Sequence, residues 1–220
     1  MNEGETELLT GHNTSPGVGV VILAAGASSR MGKPKLLLPW GTTSILGHLI
    51  RQWQTARSRQ ITVVCAAGDE GILAELDRLD FSRANRIVNP WPQRGMFSSI
   101  RCAAEWNGWK PEITHVAIVL GDQPQLRNET LHALVDFVAA HPNTVCQPGR
   151  QGRRRHPVLM PRGVFDRLRA TEAANLKEFL QNETVATCGL EDPGLDLDID
   201  RPEDYEKALQ LERLPKEISG

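Results

Sequence analysis

Val18 to Leu23 carries no polar side chain, is rich in β-branched residues and runs directly into Ala24-Ala25-Gly26. That is the pattern of a strand buried on both faces and ending in a loop. Runs of the same kind return down the chain, separated each time by a segment with helical spacing. Ser44 can cap a helix from Ile45 to Ala56, and Ile61 to Ala66 follows as a second buried strand. A helix over Glu70 to Leu79, a strand over Arg86 to Asn89, a helix over Met96 to Trp106 and a strand over Val116 to Leu120 continue the series. Such alternation predicts an α/β fold: a mainly parallel central sheet with helices on both faces and right-handed crossovers. Ligands in such sheets bind beyond the carboxyl ends of the strands.

The second half alternates less regularly but reads as part of the same sheet. It offers a helix over Asn128 to Ala140, a strand over Thr144 to Gln147 and an extended basic stretch through Met160. Helices near Val164 to Ala170 and Asn175 to Gln181 come next, then a late strand over Val185 to Leu190. Leu195 to Ile199 alternates apolar and acidic residues, and Arg201-Pro202-Glu203-Asp204 opens a terminal helix with Pro202 in its first turn. No repeat, low-complexity tract or linker divides the chain. Residues 18–212 therefore read as one domain, between a flexible segment over 1–17 and a tail over 213–220. With 40% hydrophobic residues and few aromatics, the core is expected to be built from Leu, Val, Ile and Ala.

A formal charge of -2 gives no overall attraction to polyanions, so neither nucleic acid nor an anionic membrane surface is expected as a partner. Cys65, Cys102, Cys146 and Cys188 are widely spaced, without a C-x-x-C pair, and read as buried free thiols of a reducing cytosol. The start of the chain lacks a basic stretch followed by an apolar run, and no apolar stretch approaches the ~20 residues that cross a bilayer. A soluble, cytoplasmic protein is expected.

Three short stretches carry chemistry. The first is L-A-A-G-A-S-S-R-M-G-K-P-K, from Leu23 to Lys35. Gly26 and Gly32 permit tight turns that aim backbone N–H groups at one anion, while Arg30, Lys33 and Lys35 offer charge for a polyphosphate. The stretch is not a P-loop. Five residues separate its glycines where that motif has four, and Pro34 stands where the motif needs a hydroxyl. The second is Gly121-Asp122-Gln123-Pro124, directly after a strand, where a carboxylate can hold Mg²⁺ whose other positions go to water and phosphate oxygens. An Asp there also serves as a turn or capping residue. The third is Asp196-Leu197-Asp198-Ile199-Asp200. Period-two alternation places its three carboxylates on one face of an extended segment, concentrating negative charge that a divalent cation would relieve.

In this order the stretches resemble the MobA-like nucleotidyltransferases and, within them, the molybdenum cofactor cytidylyltransferases. Asn89-Pro90-Trp91, G-M-F-S-S from Gly95 to Ser99, His156-Pro157-Val158 and D-I-D-R-P-E-D-Y from Asp198 to Tyr205 add to the likeness, which spans Val18 to Leu211. Arg155 stands where the family's Gly-His-Pro has its glycine, and Thr171 to Leu176 where many relatives carry Gly-Asp-x-Gly.

The resemblance implies a Rossmann-like, single-domain nucleotidyltransferase. The enzyme would transfer a nucleoside monophosphate, most simply from CTP, to the terminal phosphate of molybdopterin and release pyrophosphate. Leu23, Ala24, Ala25, Gly26 and Ser28 would border the nucleotide with Gly95 and Ser98. Arg30 would meet the β and γ phosphates and Lys35 the α phosphate. Asp122 would ligate Mg²⁺ with Asp200 as second carboxylate and Asp198 as its rival, and Arg155, His156 and Pro157 would face the acceptor. The alternatives are a GTP-dependent guanylyltransferase, a transferase acting on a sugar phosphate or other phosphorylated metabolite, and a non-catalytic carrier of the cofactor. A client molybdoenzyme or its chaperone is a further partner under this reading.

Overall fold

The computed structural model describes residues 16–26 and 34–213. An eight-stranded sheet forms its centre. β1 (Val18–Leu23) lies between β4 (Gln60–Ala66) and β6 (His115–Leu120), parallel to both, and β5 (Arg86–Asn89) completes that edge. On the other side β9 (Val158–Pro161) separates β6 from β7 (Val145–Arg150), and β10 (Val185–Gly189) closes the sheet. A short hairpin of β2 (Pro39–Trp40) and β3 (Thr43–Ser44) stands apart.

Side chains alternate along each strand, so β1 serves two cores. Val18, Val20 and Ile22 pack with α1 (Ile45–Thr55), α2 (Glu70–Arg78), α4 (Asn128–Ala140) and α7 (Pro202–Arg213). Val21 and Leu23 pack with α3 (Met96–Glu105), α5 (Arg162–Arg167) and α6 (Leu176–Leu180) on the opposite face. Helices thus cover both sides, as the sequence alternation predicts. α1 shows the local logic. Ser44 accepts a hydrogen bond from the Gly47 N–H at 3.0 Å, which caps the helix. Ile45, Leu46, Leu49 and Trp53 then fall on one buried stripe.

Two expectations need correction. The basic stretch after residue 147 is not one extended segment. β7 continues to Arg150, turns through Gln151 (φ 50°) and Gly152 (φ 73°), and returns as the two-residue β8 (Arg153–Arg154). Two successive positive φ values match the twist of a tight hairpin, and glycine supplies one of them without strain. β9 then runs antiparallel to both β6 and β7, within a sheet that is mainly parallel as the alternation predicts.

The second correction concerns Leu195 to Ile199. Pro193–Asp196 forms a 3₁₀ turn, begun by Asp192, whose Oδ1 accepts the Gly194 N–H at 2.8 Å. This local cap defeats the period-two reading. Asp196 consequently leaves its two neighbours and pairs with Arg150 and Arg155.

The four cysteines are free thiols, with Cys65 and Cys146 buried and Cys102 and Cys188 partly so. Burial is the main reason that the Cys65 and Cys146 thiols are each pushed up to about 11, which keeps them unreactive at neutral pH. Among the described residues no helix is long and apolar enough to cross a membrane.

Candidate active site

The strand order reverses at β1, whose neighbours β4 and β6 are reached by chain leaving in opposite directions. Ligands of open α/β sheets bind at such a point, beyond the carboxyl ends of the strands. Leu23 and Leu120 are register partners there, and the chain continues from them into Ala24-Ala25-Gly26 and Gly121-Asp122. A Cβ on Gly121 would stand 2.8 Å from a Leu36 methyl and 3.0 Å from the Leu23 carbonyl oxygen, so the glycine lets the two strand ends close on each other.

A cavity of about 240 Å³ opens at this place, and Leu23, Ala25, Gly26, Lys35, Gly95 and Asp122 all line it. Ala24 is buried beside them, its N–H donating to the Val64 carbonyl at 2.9 Å. Ser28 and Arg30 lie outside the described residues, as do Gly32 and Lys33.

Lys35 begins a short 3₁₀ turn, Lys35–Leu37, and its ammonium points at two carboxylates. Nζ is 3.2 Å from Asp122 Oδ2 and 3.7 Å from Asp200 Oδ1. Asp122 Oδ1 is buried and makes no hydrogen bond. An orphaned carboxylate oxygen in a closed position is costly unless a cation meets it. Among the described residues no three His, Cys, Asp or Glu side chains are grouped to cage a metal unaided. A pair of carboxylates with an unused oxygen suits a hard divalent cation that completes its shell with phosphate and water. Asp122 and Asp200 therefore fit the metal that the sequence pattern implies.

What holds these groups was not legible in the sequence. The Ile199 N–H donates to the Asp122 carbonyl at 2.9 Å, tying the acidic segment to the end of β6. Gln123 Nε2 donates to Asp198 Oδ1 at 2.8 Å, which occupies Asp198 and leaves Asp200 beside Lys35. Desolvation first, and the charge of Asp122 second, raise the Asp198 carboxyl above its ordinary pKa. Gln125, nearly fully buried, donates from Nε2 to the Gly194 and Leu197 carbonyls at 2.9 and 2.6 Å.

Behind them Asp192 is 3% exposed and accepts three hydrogen bonds: the Gly194 N–H, the Arg127 N–H at 2.9 Å and the Thr130 hydroxyl at 2.7 Å. Asp192→Ala is expected to cost about 3 kcal/mol, because it strands these donors together. A denaturant titration of the native and Asp192→Ala chains, with m-values compared, measures it. A loss under about 1 kcal/mol would show that water replaces the carboxylate there.

The segment after β5 forms the opposite wall. Asn89 is fully buried and donates from Nδ2 to Ser98 Oγ at 2.8 Å and Ser99 Oγ at 2.9 Å, while its Oδ1 accepts the Trp91 N–H at 2.9 Å. Gly95 takes φ 85° before α3, a conformation that favours glycine. Ser98 turns its hydroxyl to the Gly95 carbonyl at 2.7 Å, and it is Ser99 and Met96 that line the cavity.

Met96 also lines a second cavity of about 500 Å³, with His156, Arg154, Lys177 and Gln147. The His156-Pro157 bond is cis. Burial lowers the His156 pKa, against the opposing charge of Asp198 and a hydrogen bond to the Ile118 backbone. Its Nδ1 is buried without a partner. Pro157 is buried, and Arg155 is turned to Asp196, with Nε donating to Oδ1 at 3.0 Å. Of the three sequence-predicted acceptor residues, His156 alone reaches this cavity, and Arg154 provides the guanidinium in its lining.

A parallel-dominated sheet, a strand-to-loop entry and paired carboxylates at the switch point define a nucleotide-binding α/β domain. Residues 20–187 match the MobA-like NTP transferase domain, and the chain belongs to that family. It is 27% identical to the molybdenum cofactor cytidylyltransferase of Escherichia coli over 186 residues, covering 84% of this chain and 92% of that protein. It is also 31% identical over 143 residues to the bifunctional protein GlmU of Cereibacter sphaeroides, spanning 62% of this chain but only 31% of that longer protein. The crystal structure of Rv0371c from Mycobacterium tuberculosis superposes with a TM-score of 0.68 at 26% identity, covering 90% of this chain and 99% of the other. The same mycobacterial protein is also known in complex with manganese, with a TM-score of 0.64 at 25% identity over 90% of this chain and 100% of that one.

Proposed function

We propose that the chain is a divalent-metal-dependent cytidylyltransferase that joins CMP from CTP to the terminal phosphate of molybdopterin. The observation that carries this reading is the Lys35, Asp122 and Asp200 cluster at the cavity mouth, 3.2 and 3.7 Å between its charges. An acceptor phosphate oxygen forms the new bond to the α phosphorus, the bond from that phosphorus to the bridging oxygen breaks, and pyrophosphate leaves. A phosphate monoester is already a nucleophile at neutral pH, so no side-chain base is needed. The chain's task is to bring two anions together, in line and out of bulk water. Lys35 supplies positive charge to the α phosphate, and Arg30 is assigned to the β and γ phosphates. Asp122 and Asp200 would hold Mg²⁺, which when bound supplies further charge neutralisation to the phosphates. The acceptor is assigned to the His156 side, where Arg154 lines the cavity and Arg155 steadies Asp196.

CTP is preferred to GTP in this reading. Support comes from the likeness to the E. coli cytidylyltransferase and from Ala25, which is 8% exposed in the cavity lining. Guanylyltransferase relatives resemble this loop but tend to carry glycine at the place of Ala25. A Cβ there narrows the space beside the base, and a difference of one methyl shifts selectivity by roughly 1–3 kcal/mol. Ala25→Gly is thus expected to raise the kcat/KM for GTP relative to CTP by about tenfold while CTP use persists. The test measures kcat/KM for both nucleotides with native and Ala25→Gly chains under matched Mg²⁺ and molybdopterin. A native chain that favours GTP would overturn the cytidylyl assignment. An unchanged ratio in the variant would remove only the role given to Ala25. Substituting sugar phosphates for molybdopterin in the same assay tests the wider transferase reading, and absence of pyrophosphate release with every acceptor would favour the non-catalytic carrier.

A further inference from the structure

Lys35 and the proposed metal address the same two carboxylates. The ammonium sits 3.2 Å from Asp122 Oδ2 and 3.7 Å from Asp200 Oδ1, and its side chain is only 17% exposed. A divalent cation bridging the two carboxylates needs the space between them, which this ammonium holds. A cation that took Asp122 Oδ1 alone would still lie within a few ångströms of the ammonium and be repelled by it. Repulsion at that range is weakly screened on the Asp122 side, because Lys35 and Asp122 are mostly withdrawn from solvent while Asp200 is half exposed.

We propose that Lys35 competes with the divalent cation for Asp122 and Asp200, so that free metal binds weakly and metal with nucleotide binds well. The triphosphate resolves the competition. Its α-phosphate oxygens offer the ammonium a second anionic partner, which draws Lys35 off the carboxylates as the metal takes them. One flexible side chain with two partners thereby makes metal and nucleotide binding mutually dependent, a coupling that is reciprocal by thermodynamic necessity. The gain is order: the carboxylates are charge-balanced before substrate arrives, and the cation is retained when the phosphates are present. The inference rests on the nucleotidyltransferase reading only for the identity of the second partner.

The test titrates the full chain with Mn²⁺ and follows free Mn²⁺ by electron paramagnetic resonance, with no nucleotide present. Lys35→Met is expected to lower the Kd for Mn²⁺ by about tenfold, whereas Lys35→Arg stays near native and Asp122→Asn loses the site. Lys35→Gln serves as a second neutral variant if Lys35→Met melts early. Adding α,β-methylene CTP is expected to tighten Mn²⁺ binding strongly in the native chain and less in Lys35→Met. Folded neutral variants that bind Mn²⁺ no more tightly than the native chain overturn the competition. Equal tightening by the CTP analogue in native and neutral variants overturns the handover to phosphate. A native chain that binds no analogue at any Mn²⁺ concentration instead overturns the nucleotide reading, and the nucleotide-free comparison still decides the competition.

Discussion

Replacing Asp122 by Asn is expected to lower turnover on the order of a hundredfold or more while the chain stays folded. The substitution keeps the size of the side chain and the Asp122 backbone carbonyl, which accepts the Ile199 N–H at 2.9 Å. The acidic segment therefore remains docked on the end of β6. What disappears is the negative charge that pairs with Lys35 and that is proposed to hold the metal through the buried, unpartnered Oδ1. Nucleotide affinity should fall less than turnover, because Gly95, Ser99 and Ala25 border the cavity without depending on that charge. Pyrophosphate release from CTP with molybdopterin and Mg²⁺, beside a thermal melt, measures both effects. A folded Asp122→Asn chain that releases pyrophosphate at the native rate would remove Asp122 from the chemistry and leave Asp198 and Asp200 to carry it.

The legible and illegible parts of this site differ in how far along the chain their causes lie. Leu23 to Gly26 and Gly121-Asp122 could be read because a run without polar side chains, cut off by glycine, fixes where a strand ends. Parallel pairing then brings such ends together, and the register of Leu23 with Leu120 is that consequence. Nothing local reveals strand direction, so the antiparallel placement of β9 between β6 and β7 is not legible in the sequence. Asp196 departs from its two-residue period for a local reason, since a capping carboxylate four residues earlier outweighs that period. Asp192, Gln123 and Gln125 act through partners 62 to 75 residues away, and no spacing rule connects residues at that separation. Asn89 belongs to a legible motif, yet its work is to hold Ser98 and Ser99, and its hydrogen bonds in the folded chain show that.

Lys35→Ala is expected to reduce kcat by on the order of a hundredfold to a thousandfold, the usual cost of removing one donor from a developing anion. The KM for CTP should rise much less. Negative charge grows on the transferring phosphoryl group as the reaction proceeds, so a cation beside the α phosphorus contributes more in the transition state than in the bound substrate. The structure supplies a way to separate this from an indirect loss of metal. Lys35 lies against Asp122 and Asp200, so removing it takes one positive charge away from both carboxylates and is expected to strengthen metal binding. Turnover and Mn²⁺ affinity should then move in opposite directions in the same variant, and saturating Mg²⁺ should not restore kcat. Steady-state kinetics at several Mg²⁺ concentrations with native and Lys35→Ala chains tests this. Recovery of kcat at high Mg²⁺ would assign Lys35 to metal retention, and an effect confined to KM would reduce it to uniform phosphate binding.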